Sequence, residues 1–359
     1  MQIVKSFVSK YGVVVGLALV IVVFSILRPE YFPTAGNAAS IMSYNSVLTL
    51  VALGGMVPMI VGEFDVSIGF VAALGVVLMA GLMSFSGLSW PIAMAIAMAA
   101  GMTVGLLMGI LVAYVGLNSL IVTLGVGSVV QGFVLLYSRG VVIYVGIPTS
   151  FVALGRTRFF DIVPLPFLYA LTAAILLWFV LTLRPMGRRL YAIGGAPDAA
   201  RIIGINVRRY VAGSFVMSST LAVFAGCVQV AQVGAGHPTS AQAYLLPAFA
   251  AAFLGATAFR PGFYNVWGTF FAVFLVGAGT TGLFMLGAES YVEPAFNGVV
   301  LVVAVTVARL GVVRKQRAMQ AKAGAADQGG DVKRSAIRAE TRNGSGVPDA
   351  KMVGEARAR

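Results

Sequence analysis

Apolar residues come in long blocks rather than alternating with polar ones. The blocks cover residues 11–27, 46–62, 66–85, 90–114, 119–137, 165–183, 210–231, 243–258, 266–287 and 295–308. Most approach the roughly 20 residues that an α-helix needs to cross a hydrocarbon core about 30 Å thick. Barrel strands would show shorter segments of period-two alternation. The pattern therefore predicts an all-α membrane protein, a polytopic bundle of about ten transmembrane helices, eight to eleven where Gly- and Pro-broken runs re-enter rather than cross. Segment 28–44 reads as an external connection, and 138–164 as the longest one, with Pro148, Arg156, Arg158, Asp161 and Pro164. Two breaks echo each other: 62–69 and 260–268 are both polar, Gly-containing interruptions between short apolar halves. Paired interruptions of this kind can mark a transport site near the middle of a membrane.

Composition agrees with the pattern. The 359 residues are 59% hydrophobic and 10% charged, against about 25% charged in soluble domains. Forty-three glycines suit close helix–helix approach in lipid. The net charge of +13 does not point to nucleic acid, because it is concentrated in two segments. From Arg309 to the end there are twelve basic and five acidic residues, a net +7. The connector 184–209 carries Arg184, Arg188, Arg189, Arg201, Arg208 and Arg209 against Asp198 alone. Positive segments face the cytoplasm and its anionic leaflet. Lys5 and Lys10 precede the first run and no small-residue cleavage site follows it, so the first span is expected to be uncleaved with its N-terminus cytoplasmic. Ten crossings from that start place the connector and the C-terminus on the same side, as their charge requires. Residues 1–310 are expected to form the membrane domain. Residues 311–359 are expected to be a basic, disordered cytoplasmic tail with little apolar content to bury.

The connector contains its own helix signal. Pro197 suits a first helical position, Asp198 suits the positive end of the dipole and Gly204 suits a C-terminal cap. About two turns result, roughly 10 Å, too short to hold alone in water. Two readings stand: a helix that docks on another protein, or a solvated charged loop that only sets topology.

Polar residues within the apolar runs are the other candidates. Glu63 and Asp65 lie at the first break; a carboxylate at a helix centre in lipid costs about 2.5–3.5 kcal/mol. They would line or gate a pathway, or form a polar connector. Their i, i+2 spacing puts them off a shared helix face, against a paired-carboxylate catalytic site. In the fifth run, Thr123, Ser128 and Gln131 are polar; positions 124, 128 and 131 share a stripe beside Gly125 and Gly132. Such a face suits a hydroxyl-lined passage or helix packing. Gln229 and Gln232 could meet a solute at the outer mouth or sit at the interface. Cys227 and His237 stand alone, so no metal site, cofactor site or disulfide is expected. The chain lacks the P-loop pattern GxxxxGK[ST], GxSxG and HExxH. No catalytic residues are assigned, and any ATPase must be another chain.

Phe64-Asp65-Val66-Ser67-Ile68-Gly69 resembles the Asp-Leu-Ser-Val-Gly signature of bacterial ABC-importer permeases of the ribose/monosaccharide type. Ile121 to Gly125 is similar to their next signature. Gly187-Arg188, Tyr191 to Gly195, Ala199-Ala200-Arg201 and Gly204-Ile205 resemble their cytoplasmic coupling loop. Val266 to Thr269 and Gly282-Leu283 follow in order, and the resemblance spans about residues 10 to 310. It implies the inner-membrane permease subunit of an ATP-driven importer, with no enzymatic activity of its own. The implied partners are an ABC ATP-binding subunit, a second permease chain in a homo- or heterodimer, a periplasmic sugar-binding protein and the lipid bilayer, with no nucleic acid. It implies coupling to the ATPase through Arg188, Arg189, Gly194, Gly195, Ala199, Arg201 and Gly204, and a pathway or gate at Glu63, Asp65, Ser67, Thr123, Ser128 and Gln131. Glu63, Asn118-Ser119 and the segment ATAFRPGFYN at 256–265 depart from the usual pattern and would mark a subgroup with a different sugar. A branched-chain amino-acid or nucleoside permease of the same superfamily is the near alternative. A secondary transporter would need acids within the spans, and a membrane enzyme would need a catalytic set.

Overall fold

The computed structural model describes residues 2–306, with side chains from Tyr11 onward; the tail expected at 311–359 lies outside the described residues. Thirteen helices follow in order: α1 Gln2–Leu27, α2 Ala35–Ile60, α3 Ile68–Ser84, α4 Trp90–Ile110, α5 Ser119–Ser138, α6 Thr149–Arg156, α7 Leu165–Trp178, α8 Pro185–Gly195, α9 Pro197–Ile202, α10 Val207–Val233, α11 Leu245–Gly255, α12 Val266–Met285 and α13 Val292–Thr306. α4 and α7 end in π-helical turns, Leu111–Val115 and Phe179–Leu183, and the 3₁₀ turn Ser240–Tyr244 leads into α11. Each of the ten apolar runs meets a helix. Among the described residues six helices are long and apolar enough to cross a membrane, and four apolar ones are shorter: Tyr11–Leu27, Ile68–Ser84, Ser240–Gly255 and Val292–Thr306.

Three segments differ from expectation. α2 begins at Ala35, well before the apolar run at 46, so 28–44 is not all connection. Its polar residues are satisfied inside the helix: Ser40 donates to Gly36 O, Asn45 to Ile41 O, Ser46 to Met42 O and Thr49 to Asn45 O. Thr34 caps it by accepting from Asn37 N at 3.2 Å. A hydropathy run cannot see a polar turn that bonds to its own backbone. The connection 138–164 contains α6 and a hairpin of two-residue strands, β1 Arg158–Phe159 and β2 Val163–Pro164. The connector holds two helices, α8 and α9, where one was expected.

α10 is the axis of the bundle, with α2, α3 and α4 packed around it. Small residues set the spacing. Gly101, Gly105 and Gly109 bring α4 against Val223, Phe215 and Ala212 of α10, the two helices running antiparallel. A Cβ on Gly75 would lie 2.5 Å from Val223 O, so the backbones of α3 and α10 touch there. α2 ends, and α10 begins, at the connector end of the bundle. At the opposite end Arg156 of α6 donates to Gln232 O at 3.0 Å and Val233 O at 2.8 Å, closing the C-terminus of α10.

Candidate functional site

α2 stops just past Pro58. Val61 and Glu63 donate their N–H groups to Pro58 O, both at 3.0 Å, and Gly62 turns the chain at φ +89°, a conformation L side chains resist. The chain then re-enters the bundle unwound from Phe64 to Ser67. Backbone groups exposed in this way inside a membrane protein need internal partners. α5 supplies two: Ser119 Oγ accepts from Phe64 N at 3.3 Å and Thr123 Oγ1 from Val66 N at 3.2 Å. Thr123 in turn donates to Ser119 O at 2.8 Å.

Asp65 sits at the centre, fully buried. Its Oδ1 accepts from Ser67 N at 3.1 Å and from Ser67 Oγ; its Oδ2 accepts from Ser218 Oγ of α10 at 2.6 Å. These three bonds stand in for water around a group that is otherwise very costly to bury. Ser218 lies about 16 Å along α10 from its start, near half of a 30 Å core. One carboxylate thus ties the break to a helix distant in sequence, while α5 braces its flanks.

The sequence-predicted pathway residues divide in two. Asp65, Ser67 and Thr123 come together at the break, with Glu63 half-buried beside them and its side chain unbonded to any described residue. Ser128 and Gln131 do not join them. Ser128 is exposed and donates back to Leu124 O at 2.8 Å; Gln131 is half-buried with its Oε1 unpartnered. Gly125 and Gly132 lie open beside them on the outward side of α5. Gln232 donates to Ser43 O of α2 at 2.8 Å, and Gln229 is buried with Oε1 unpartnered.

The second break runs 256–265, between α11 and α12. Asn265 makes the most side-chain bonds to it. Its Nδ2 donates to Gly255 O at 3.1 Å, Ala258 O at 2.9 Å and Phe263 O at 3.1 Å, and its Oδ1 accepts from Gly268 N at 2.8 Å to cap α12.

The connector lies on both breaks. Gly187, Leu190 and Ile193 form the buried face of α8, while Arg188 and Arg189 are exposed. A Cβ on Gly194 would collide with Ile60 O, at the mouth of the first break; Gly195 beside it is open. Tyr191 Oη donates to Tyr264 O at 2.7 Å, at the edge of the second. Burial pushes the Tyr191 hydroxyl up to about 12, with Arg260 acting the other way, so it stays a donor at any ordinary pH. Arg189 bonds to the Tyr210 hydroxyl and its guanidinium lies 5.7 Å from that ring's centroid.

α9 matches its local signals: Pro197 at the first position, Asp198 in the first turn and Gly204 just past the end at φ +82°. Ala200 is its buried residue; Ala199 is exposed, and Arg201 forms an exposed pair with Asp198 at 3.2 Å, worth little in stability. Sequence reasoning missed its tip. Ile202 is 86% exposed and Ile203 72%, an apolar pair beside Arg201. It also missed Ser218, whose only signal was a Ser-Ser doublet within an apolar run, and Asn265, which carried a helix-cap signal before Val266. Among the described residues no three His, Cys, Asp or Glu side chains gather as a metal site.

A family model described as "Branched-chain amino acid transport system / permease component" matches residues 37–305. The chain is 31% identical over 304 residues to the D-allose transport system permease protein of Escherichia coli K12, covering 85% of this chain and 93% of that one. It is 33% identical over 302 residues to the ribose import permease protein of Bacillus subtilis 168, covering 84% and 93%. With the L-arabinose transport system permease protein of Escherichia coli K12 it shares 29% over 298 residues, covering 83% and 89%. No solved structure matches the chain significantly. With its apolar helices, braced breaks and two-helix connector, the chain belongs to this family of ABC-transporter permease components, as a multi-pass inner-membrane protein.

Proposed function

We propose that this chain is the permease subunit of an ATP-driven importer that moves a monosaccharide, worked from the cytoplasm through α8 and α9. The observation that carries the reading is the position of α8: Gly194 rests on the last turn of α2 and Tyr191 holds the edge of the second break. A push on α9 is thereby delivered to both interruptions of the bundle, and repacking of discrete elements is how such transitions proceed. The tip Arg201, Ile202 and Ile203 presents two apolar side chains and a cation to a groove on a separate ATP-binding chain. Arg188, Gly195, Ala199 and Gly204 lie around that contact, while Gly194 and Arg189 hold α8 in place. Ten crossings, with both termini cytoplasmic, put the arginine-rich connector on the side that positive segments occupy. The outward face of α5, with exposed Ser128, Gly125 and Gly132 and half-buried Gln131, faces a second permease chain and lines the polar path with it. Glu63 stands at its inner mouth, while Asp65, Ser67 and Thr123 set the shape of the break rather than touching solute. A periplasmic binding protein delivers the sugar. The relatives named for allose, ribose and arabinose favour a sugar over the amino acids in the family's description.

The test is a pair of measurements, the first on membranes stripped of the ATP-binding chain and the second on the assembled importer. A cysteine at Ile202 should react with an impermeant maleimide in stripped inside-out vesicles and stay unlabelled in intact cells; Cys227 is buried and gives little background. Ile202→Asp with Ile203→Asp should reduce uptake and ATPase stimulation at least tenfold while leaving the amount of inserted chain unchanged. Labelling from the outside, or full uptake by the double variant, would overturn the coupling role.

A further inference from the structure

Close approach of α4 and α10 leaves a seam on their outer side. One wall is Leu106, Ile110 and Tyr114 of α4, at i, i+4 and i+8; the other is Arg209, Ala212, Gly213 and Val216 of α10. The groove between them measures about 620 Å³. It runs about 12 Å along α4, close to the depth of one leaflet. Leu106, Ile110 and Tyr114 are each 42–51% exposed, and the same face of α4 continues apolar through Met102 and Ile96, as a surface toward hydrocarbon should. The floor is bare at Gly213, where a Cβ would meet nothing within 4 Å.

The polar end of the groove is distinctive. Arg209 lies in the first turn of α10, where the helix already presents its positive pole, so a cation there is electrostatically misplaced. Arg208 is its neighbour in sequence. Arg209's backbone N–H is held by Asn206 Oδ1, but its guanidinium makes no hydrogen bond or ion pair to a described residue. Arg189, by contrast, is engaged with Tyr210. An apolar channel of one-leaflet length, with an unneutralised guanidinium and a tyrosine at its connector end, has the layout of a phospholipid: acyl chain below, phosphate above.

We propose that this seam binds an acidic glycerophospholipid of the leaflet on the connector side. The phosphate sits at Arg209, near Tyr114, and one acyl chain lies over Gly213. The lipid compensates the two sources of positive charge at the start of α10, and its seat is five residues beyond Gly204, so occupancy stiffens the root of the connector. Basic pockets between membrane helices are suited to such headgroups, and each Arg near an anionic surface favours it by an amount that corresponds to about fivefold in affinity.

The experiment uses the full-length permease purified in mild detergent. Native mass spectrometry would be run with added phosphatidylglycerol, with phosphatidylcholine of the same acyl chains, and with inorganic phosphate alone. The wild type should retain phosphatidylglycerol about fivefold more strongly than phosphatidylcholine, and should retain no phosphate. Arg209→Gln should abolish the preference while keeping weak binding of both lipids. Gly213→Leu should fill the seam and lower retention of both lipids, with the thermal midpoint unchanged or raised. Gly213→Ala, a smaller filling, gives an intermediate loss and controls for folding. Equal retention of the two lipids by the wild type, an undiminished preference in Arg209→Gln, or a changed oligomeric state in Gly213→Leu with lipid retention intact would overturn the proposal; the last result would make the seam a contact between copies.

Discussion

The two breaks look alike in the sequence and are built on different principles. Each is a short polar interruption organised around one side chain with several hydrogen bonds. Asn265 makes its bonds to residues within ten positions of itself. It ties off a local turn and caps a helix, as a self-contained device. Asp65 reaches Ser218 across 153 residues, and its neighbours Phe64 and Val66 reach Ser119 and Thr123 on α5. The first break is therefore a junction of α2, α3, α5 and α10, and the second is a corner. A junction transmits displacement among helices, whereas a corner holds one angle. α8 touches both through Gly194 and Tyr191, so under the proposed coupling a motion of the connector would meet a joint tied to distant helices on one side and a local pivot on the other.

The largest effect that would sharpen this contrast is at Asp65. Asp65→Ala leaves the Ser218 hydroxyl and the Ser67 N–H buried without their acceptor, and the Ser67 hydroxyl with only the weak acceptor Met108 Sδ. It should destabilise the chain by about 1–3 kcal/mol, read from unfolding in detergent. With Ser218→Ala the double variant should be non-additive, because the two share one bond. Asp65→Ala combined with Asn265→Ala should be additive, as independent sites are. Coupling between Asp65 and Asn265 would break the distinction between junction and corner.

Asn265→Ala should be next, at about 0.5–2 kcal/mol for a lost cap. It should raise local hydrogen exchange across 256–268 and leave 60–70 unchanged. Exchange spreading to the first break would show that the corner is not self-contained. Tyr191→Phe should be smallest, at about 0.5–1.5 kcal/mol for one hydrogen bond. It should lower uptake more than it lowers stability, since the bond links the connector to the pivot. An equal loss of both would reduce Tyr191 to a packing residue.

Much of this was legible along the chain. The ten apolar runs each meet a helix, and Pro197, Asp198 and Gly204 occupy the places their local chemistry suggests. The start of α2 was hidden because Ser40, Asn45, Ser46 and Thr49 satisfy themselves within the helix. α8 was hidden because its buried face, Gly187, Leu190 and Ile193, is narrow and flanked by arginines. Thr123, Ser128 and Gln131 looked like one set, yet the bundle turns Thr123 inward to the break and leaves Ser128 outside.

Hydropathy and caps act over a few residues and add along the chain, so the sequence alone determined which segments become apolar helices, where the two breaks fall and which segments carry charge. The partner of Asp65, the inward side of α5 and the seating of α8 on both breaks belong to the tertiary structure. They depend on which backbones can approach closely at Gly75, Gly109 and Gly194, and that is a property of pairs of helices distant in sequence rather than of any stretch of the chain.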